Sequence, residues 1–401
     1  MKPIAFADIE TNARSKILDI GCIKSDGRTF HKASLQEFGQ FLQGAEFLAG
    51  HNIIYHDLKY LRKANPRAPF FRIPAIDTLY LSPLLFPGNP YHALVKDDKL
   101  QTDEANNPLN DAIKARDLFF DEVNAFQKLD ERLQRIFYGL LKEQWEFGAF
   151  FQYLDYWPAH TDPKELISAH FKNSICANVD LSLLIEDNPV ELAYCLSLIH
   201  ANHRYSITPP WVLKNYPQVQ RIMHLLRNKP CVEGCNYCDQ ALDVYQGLDH
   251  FFGFQGFRSY GGEPLQEKAV KAAVAHQSIL AVFPTGGGKS ITFQLPALMS
   301  GENTRGLTVV ISPLQSLMKD QVDNLEKAGI TEAVTINGLL DPVERAKSFE
   351  RVEDGSASLL YISPESLRSR TIERLLLGRN ITRFVIDEAH CFSAWGQDFR
   401  V

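Results

Sequence analysis

The segment Pro284-Thr285-Gly286-Gly287-Gly288-Lys289-Ser290 constrains this chain more than any other. It follows the apolar, β-rich run 279–283 and precedes a helical pattern that starts near Ile291. Glycines there let the backbone turn tightly and aim N–H groups at phosphate oxygens, at a helix N-terminus that favours anions. Lys289 is placed to reach the β- and γ-phosphates of a nucleoside triphosphate, and the Ser290 hydroxyl to ligate Mg²⁺. A strand–loop–helix unit presents such a loop. Further β-rich runs at 308–312, 359–363 and 383–387 alternate with helical stretches, which predicts a parallel sheet covered by helices over 246–401.

Further along, Phe384-Val385-Ile386-Asp387-Glu388-Ala389-His390 reads as a strand ending in adjacent acids. Beside a phosphate loop, Asp387 is expected to hold Mg²⁺ through water and Glu388 to polarise the attacking water. PTGGGKS, ISPLQSLMKDQV (311–322), YISPES (361–366) and DEAH (387–390) together resemble successive motifs of superfamily 2 helicases. The tail AHCFSAWGQDFR (389–400) resembles the aromatic-rich loop of RecQ-type DNA helicases. Trp395 and Phe399 match its aromatic positions, and stacking suits unpaired bases. Gln397 stands where that family usually has His. Phe252-Gly253-Phe254, Phe257-Arg258 and Gln266 resemble the family's adenine-recognising segment, with Arg258 stacking on the base and Gln266 reading its edge. Gln266 falls later than usual, after the insertion Gly261-Gly262-Glu263-Pro264.

At the other end, Asp8-Ile9-Glu10-Thr11 closes the first apolar run, followed by His51-Asn52, His56-Asp57 and Asn110-Asp111-Ala112. Asp8 and Glu10 share one face of a strand, because side chains repeat every two residues. Asp57 and Asp111, on later helices, can close a site for two Mg²⁺ or Mn²⁺ ions that clamp the attacking and leaving oxygens of a phosphodiester. The order of these acids resembles the DEDD, DnaQ-like 3′–5′ exonucleases, which implies a ribonuclease H-like domain over 1–120. That family carries a His base or a Tyr just before its last Asp. Asn106 and Asn107 occupy those places, and an amide accepts no proton at neutral pH. His92 could substitute only if its loop folds back.

Between these regions, 121–245 reads as a mainly helical connector. Phe126, Leu129, Leu133, Phe137, Leu140 and Leu141 recur at helical spacing and predict one amphipathic helix. The connector also holds Cys231, Cys235 and Cys238, three thiols in eight residues. Cys195 is the first choice for a fourth ligand and Cys176 the alternative. A three-plus-one set favours a [4Fe–4S] cluster over Zn²⁺. Cys22 and Cys391 read as lone packed cysteines. CxxxCxxC followed by Gly261-Gly262-Glu263-Pro264 also resembles a radical-SAM signature, but the stretch before the phosphate loop is too short for that barrel.

The whole is an α/β multidomain chain: an exonuclease-like domain (1–120), a helical connector with a cysteine cluster (121–245) and a partial RecA-like phosphate-loop domain (246–401). With 42 Lys and Arg against 48 Asp and Glu, the net charge of −6 argues against a basic tail coating nucleic acid, though not against basic grooves. The sequence carries no membrane-spanning run and, with Asp8 and Glu10 so early, no signal peptide. A cytoplasmic location is expected. The resemblances imply an ATP- and Mg²⁺-dependent DNA helicase with 3′ to 5′ polarity and a fused 3′–5′ exonuclease-like domain. Its DNA would be single-stranded, or duplex with a 3′ end, in repair, recombination or defence. Two alternatives are a regulatory ATP switch with an inactive nuclease domain and an RNA-dependent ATPase. The RecA-like lobe stops just after the aromatic loop, so the chain is expected to be the N-terminal part of a longer helicase.

Overall fold

The computed structural model describes residues 2–89, 91–92, 107–203, 205–284 and 286–390. The chain divides into two compact units. One comprises Met1–Phe86, His92–His170 and Ile185–Ser197; the other comprises Pro87–Tyr91, Phe171–Leu184 and Leu198–Val401. The helical stretch 121–245, read from sequence as a separate connector, is therefore shared between them. Its apolar faces explain the split. Phe126, Phe137 and Phe150 are buried in the first unit, whereas Val219, Ile222 and Leu226 on helix Gln218–Arg227 are buried in the second.

The first unit is built on strands β1 (Ile4–Thr11), β2 (Ile17–Lys24), β3 (Thr29–His31), β4 (Phe47–Gly50) and β5 (Ala75–Asp77), ordered β3-β2-β1-β4-β5. β1 pairs antiparallel with β2 and parallel with β4, and β4 pairs parallel with β5. Central β1 is apolar on both faces for its first four residues and turns polar at Asp8 and Glu10, where it leaves the core.

Helix Pro108–Lys128 packs on β1 and β2. It starts with proline at its first position, and the Asn107 side chain accepts from the Leu109 and Asn110 amides. The single amphipathic helix expected across 126–141 is interrupted. The helix ends at Lys128, and Asp130 caps a new one, Glu131–Leu141, by accepting from the Arg132 amide at 2.9 Å. Gln134 closes the corner by donating to the Phe126 and Leu129 carbonyls, both at 3.0 Å. The apolar period runs through the junction because both helices face the same core, so the period alone conceals the cap.

The second unit holds four strands: β6 (Leu307–Ile311), β7 (Ala333–Ile336), β8 (Leu359–Ile362) and β9 (Ile381–Ile386). All pair in parallel in the order β7-β8-β6-β9, under helices. β6, β7 and β8 are wholly buried, as near-continuous apolar runs in a covered parallel sheet should be. The strand expected at 279–283 is not formed. That stretch is irregular, with Leu280 83% and Val282 78% exposed. A cavity of about 810 Å³ separates it from β9, so it lacks the lateral backbone partner that a strand requires. Among the described residues no helix is long and apolar enough to cross a membrane.

Candidate functional site

Three clusters gather the residues singled out in the sequence. In the phosphate loop, Gly286 and Gly288 adopt left-handed φ angles of 75° and 66°, which a glycine tolerates without strain. Thr285 lies outside the described residues. Lys289 and Ser290 lead into helix Ile291–Thr304. The segment 252–266 is tied directly to this loop. The buried Gln266 side chain accepts from the Arg258 amide at 2.8 Å and donates to the Gly288 carbonyl at 3.0 Å. The Tyr260 hydroxyl donates to the Gly287 carbonyl, a contact the sequence did not reveal.

The insertion that displaced Gln266 along the chain is a tight turn. Tyr260 and Glu263 exchange both backbone hydrogen bonds (2.8 and 2.9 Å), with Gly261 and Gly262 at positive φ. The turn folds the extra residues out and returns Gln266 to Arg258. Phe252, Phe254, Arg258, Gln266, Gly288 and Ser290 then line a cavity of about 500 Å³, within the size range of small-molecule sites.

Opposite the loop, Asp387 and Glu388 directly follow β9. The Asp387 amide donates to the Ile311 carbonyl at 2.9 Å, fixing this end to β6. The Asp387 carboxylate accepts from the Glu388 amide at 3.0 Å, and burial pushes its pKa up. Glu388 takes a left-handed φ of 50°, costly for a side chain with a Cβ. Its carboxylate lies 3.4 Å from the Lys289 ammonium and 3.2 Å from His390 Nδ1. Trp395, Gln397, Phe399 and Cys391 lie outside the described residues.

In the first unit, carboxylate oxygens of Asp8, Glu10 and Asp111 come within 4.8 Å of one another. Gly21 makes this convergence possible. It pairs with Asp8 across β1 and β2, and the backbone of Pro108 and Leu109 presses so close that a Cβ would meet it at 2.0–2.1 Å. The helix thus starts directly over the sheet, and Asp111 in its first turn reaches the two strand acids. Burial, then the charges of Asp57, Asp111 and Glu10, push Asp8 up to about 8.

Asp57 stands beside this trio rather than in it. It is fully buried, and its Oδ1 lies 2.8 Å from His56 Nδ1. Behind it, Asp77 accepts amide hydrogens from Asn52, Ile54 and Leu79. Asn106 lies outside the described residues, while Asn107 is occupied in capping its helix. His92 is buried beside His51, whose own pKa falls to about 4 through burial and that neighbour.

The third cluster corrects the ligand choice. The sulfurs of Cys231, Cys235 and Cys238 are joined by Cys176, all within 4.8 Å of one another. Cys195, the first choice, is buried on helix Pro189–Ala201. Cys176 is held by its amide, which donates to the Leu226 carbonyl at 2.8 Å, and by Asn178, which donates to the Gly234 carbonyl at 3.1 Å. Cys235 caps the helix Asn236–Ala241 that carries Cys238. Cys22 is a lone buried thiol.

Residues 263–401 match the DEAD/DEAH box helicase family. The ATP-dependent DNA helicase RecQ of Bacillus subtilis is 46% identical over 154 residues, covering 38% of this chain and 24% of that protein. The Haemophilus influenzae protein of the same name is 42% identical over 160 residues, covering 40% and 24%. The ATP-dependent helicase SGS1 of Saccharomyces cerevisiae is 40% identical over 163 residues, covering 39% and 11%. The chain thus spans about a quarter or less of the length of these curated relatives. Residues 263–401, within its second unit, are thus similar to the DEAD/DEAH box helicase family and to part of the RecQ helicases.

Proposed function

We propose that this chain is the ATP-binding part of a RecQ-type DNA helicase joined to a 3′–5′ exonuclease-like unit. The observation that carries the helicase reading is that the phosphate loop lines two cavities, one through Gly288 and Ser290 with Arg258 and Gln266, the other through Lys289 with Asp387 and Glu388. Arg258 stacks on the base, while Lys289 and the loop amides hold the phosphates. Ser290 and Asp387 would hold Mg²⁺, which would neutralise charge on the phosphates, and Glu388 would orient the attacking water. Trp395 and Phe399 carry the coupling to single-stranded DNA. DNA-stimulated ATP turnover by the purified chain, lost in Lys289→Ala, tests this reading. Stimulation by RNA alone would favour the RNA-dependent alternative.

The sheet order β3-β2-β1-β4-β5, with acids at the end of its central strand, supports a ribonuclease H-like exonuclease fold for the first unit. Asp8, Glu10 and Asp111 would hold Mg²⁺ or Mn²⁺ there, with Asp57 reinforcing the charge. His56, to which the sequence reading gave no role, is the imidazole in contact with Asp57, its Nδ1 2.8 Å from Oδ1. Asn107, engaged in capping, favours the second reading, a metal-holding domain that grips DNA without cutting it. A 3′-labelled oligonucleotide with Mn²⁺ separates the two. Cleavage lost in Asp8→Ala establishes the nuclease, and no cleavage at any metal concentration establishes the binding module.

The four cysteines form a thiolate metal centre. Their three-plus-one order along the chain favours [4Fe–4S]. The mutual approach of the sulfurs favours a single tetrahedral ion such as Zn²⁺, whose ligands sit at about 2.3 Å. Iron, sulfide and zinc quantification on anaerobically purified protein decides between them.

A further inference from the structure

The cysteine centre shares an apolar core with Ile291 and Phe252, which line the cavity of Arg258 and Gln266. Cys176 and Cys238 belong to one buried apolar cluster with Val244, Leu248, Val270, Ile291, Leu295 and Met299. Those six side chains come from three helices, Val244–Phe252, Leu265–Val274 and Ile291–Thr304. Each helix has one end at the cavity. The first runs into Phe252-Gly253-Phe254, the second begins beside Gln266, and the third follows Ser290. Cys231 and Cys235 pack against the same cluster, as do Phe252 and Phe257, the latter adjacent to Arg258.

There is little slack in this assembly. A Cβ on Gly247 would lie 2.9 Å from Met299 Sδ and 3.3 Å from Leu295 Cδ1, so side chains of the third helix pack directly on the backbone of the first. Asn303 on the third helix donates to the Ala241 carbonyl at 3.1 Å, at the end of the helix that carries Cys238. A metal ion entering this site displaces the protons of the gathered thiols, and its binding is coupled to the conformation that gathers them. This shared, close-packed core is the physical route from the Cys235–Cys238 turn to the cavity lining.

We propose that occupancy of the Cys176/Cys231/Cys235/Cys238 centre sets the affinity of the nucleotide cavity, making the centre a metal-controlled switch on ATP binding. This rests on the reading of the four cysteines as a metal centre. The loop between Cys231 and Cys235 is open to solvent, with Val232 fully exposed, so a chelator or oxidant can reach the sulfurs.

The test titrates the purified, metal-loaded chain with a fluorescent ATP analogue, then repeats the titration after chelation and after reloading with zinc, or with iron and sulfide. Far-UV circular dichroism is followed on the same samples. The expected result is a Kd raised about tenfold or more on metal loss, restored by reloading, with helix content retained. Binding being reciprocal, a saturating analogue should raise the metal affinity by the same factor in a chelator competition. Unchanged nucleotide affinity in stripped, folded protein would overturn the switch and leave the metal centre standing. Global unfolding on stripping would overturn it in favour of a purely structural staple. Protein that neither retains nor takes up any of these metals would overturn both readings.

Discussion

The Lys289 ammonium and the Glu388 carboxylate meet at 3.4 Å, joining the phosphate loop to the end of β9. In the proposed function, a triphosphate at the phosphate loop would draw Lys289 away from this partner. Both side chains are partly exposed, so the pair itself contributes little. Glu388→Gln should therefore leave the Kd for ATP unchanged or tighter by no more than about fivefold. Turnover should fall by about 100-fold or more, because the water-orienting carboxylate is gone. Steady-state ATPase and equilibrium binding read the two effects separately; retained turnover would remove Glu388 from the chemistry.

Gly21 is the position on which the carboxylate trio depends. Gly21→Ala places a methyl against the Pro108 and Leu109 backbone, which cannot swing aside as a side chain could. Overpacking of this kind costs about 2–3 kcal/mol. The first turn of the helix, with Asp111, should lift from the sheet. Mn²⁺ should then raise the melting temperature of the wild-type chain but not that of the variant. An unaltered Mn²⁺ response would show that Asp111 is not a ligand.

The convergence of acids is a liability without metal. Burial and three neighbouring acids hold the Asp8 pKa near 8, against an ordinary value of 3.8. Asp8→Asn removes the cost of protonating this carboxylate on folding and should raise the melting temperature in EDTA by a few degrees, while abolishing the gain from Mn²⁺. Differential scanning fluorimetry with and without Mn²⁺ checks both halves. A lower melting temperature in EDTA would contradict the electrostatic account.

His51 gives the first unit a dependence on acidity. Its pKa falls from 6.5 to about 4 through burial and the neighbouring His92. The unfolded chain therefore binds the proton more readily than the folded one between these values. Stability contributed by neutral His51 is intact above pH 6.5 and is lost as pH falls towards 4, by about 3 kcal/mol. Chemical denaturation at a series of pH values should show this slope, and His51→Asn should flatten it. An equal slope in the variant would assign the effect to another group.

Local chemistry was legible where it depends on neighbours in sequence. Glycines before Lys289 and Ser290, acids spaced by two at Asp8 and Glu10, and three close cysteines each carry their meaning within a few residues, because backbone geometry alone sets those distances. The strands β6, β8 and β9 were legible to within a few residues for the same reason. The tertiary structure decided what chain distance conceals. It gathered Cys176 in preference to Cys195, since only folding brings a distant thiol to Cys231, Cys235 and Cys238. It returned Gln266 to Arg258 through a turn that sequence spacing counted as a defect. It broke one apolar period into two helices at Asp130, and left 279–283 without the strand its composition suggested. Side-chain pattern fixes which face of an element is apolar. Caps, lateral backbone pairing and long-range approach fix where the element ends, whether it forms, and which residues meet.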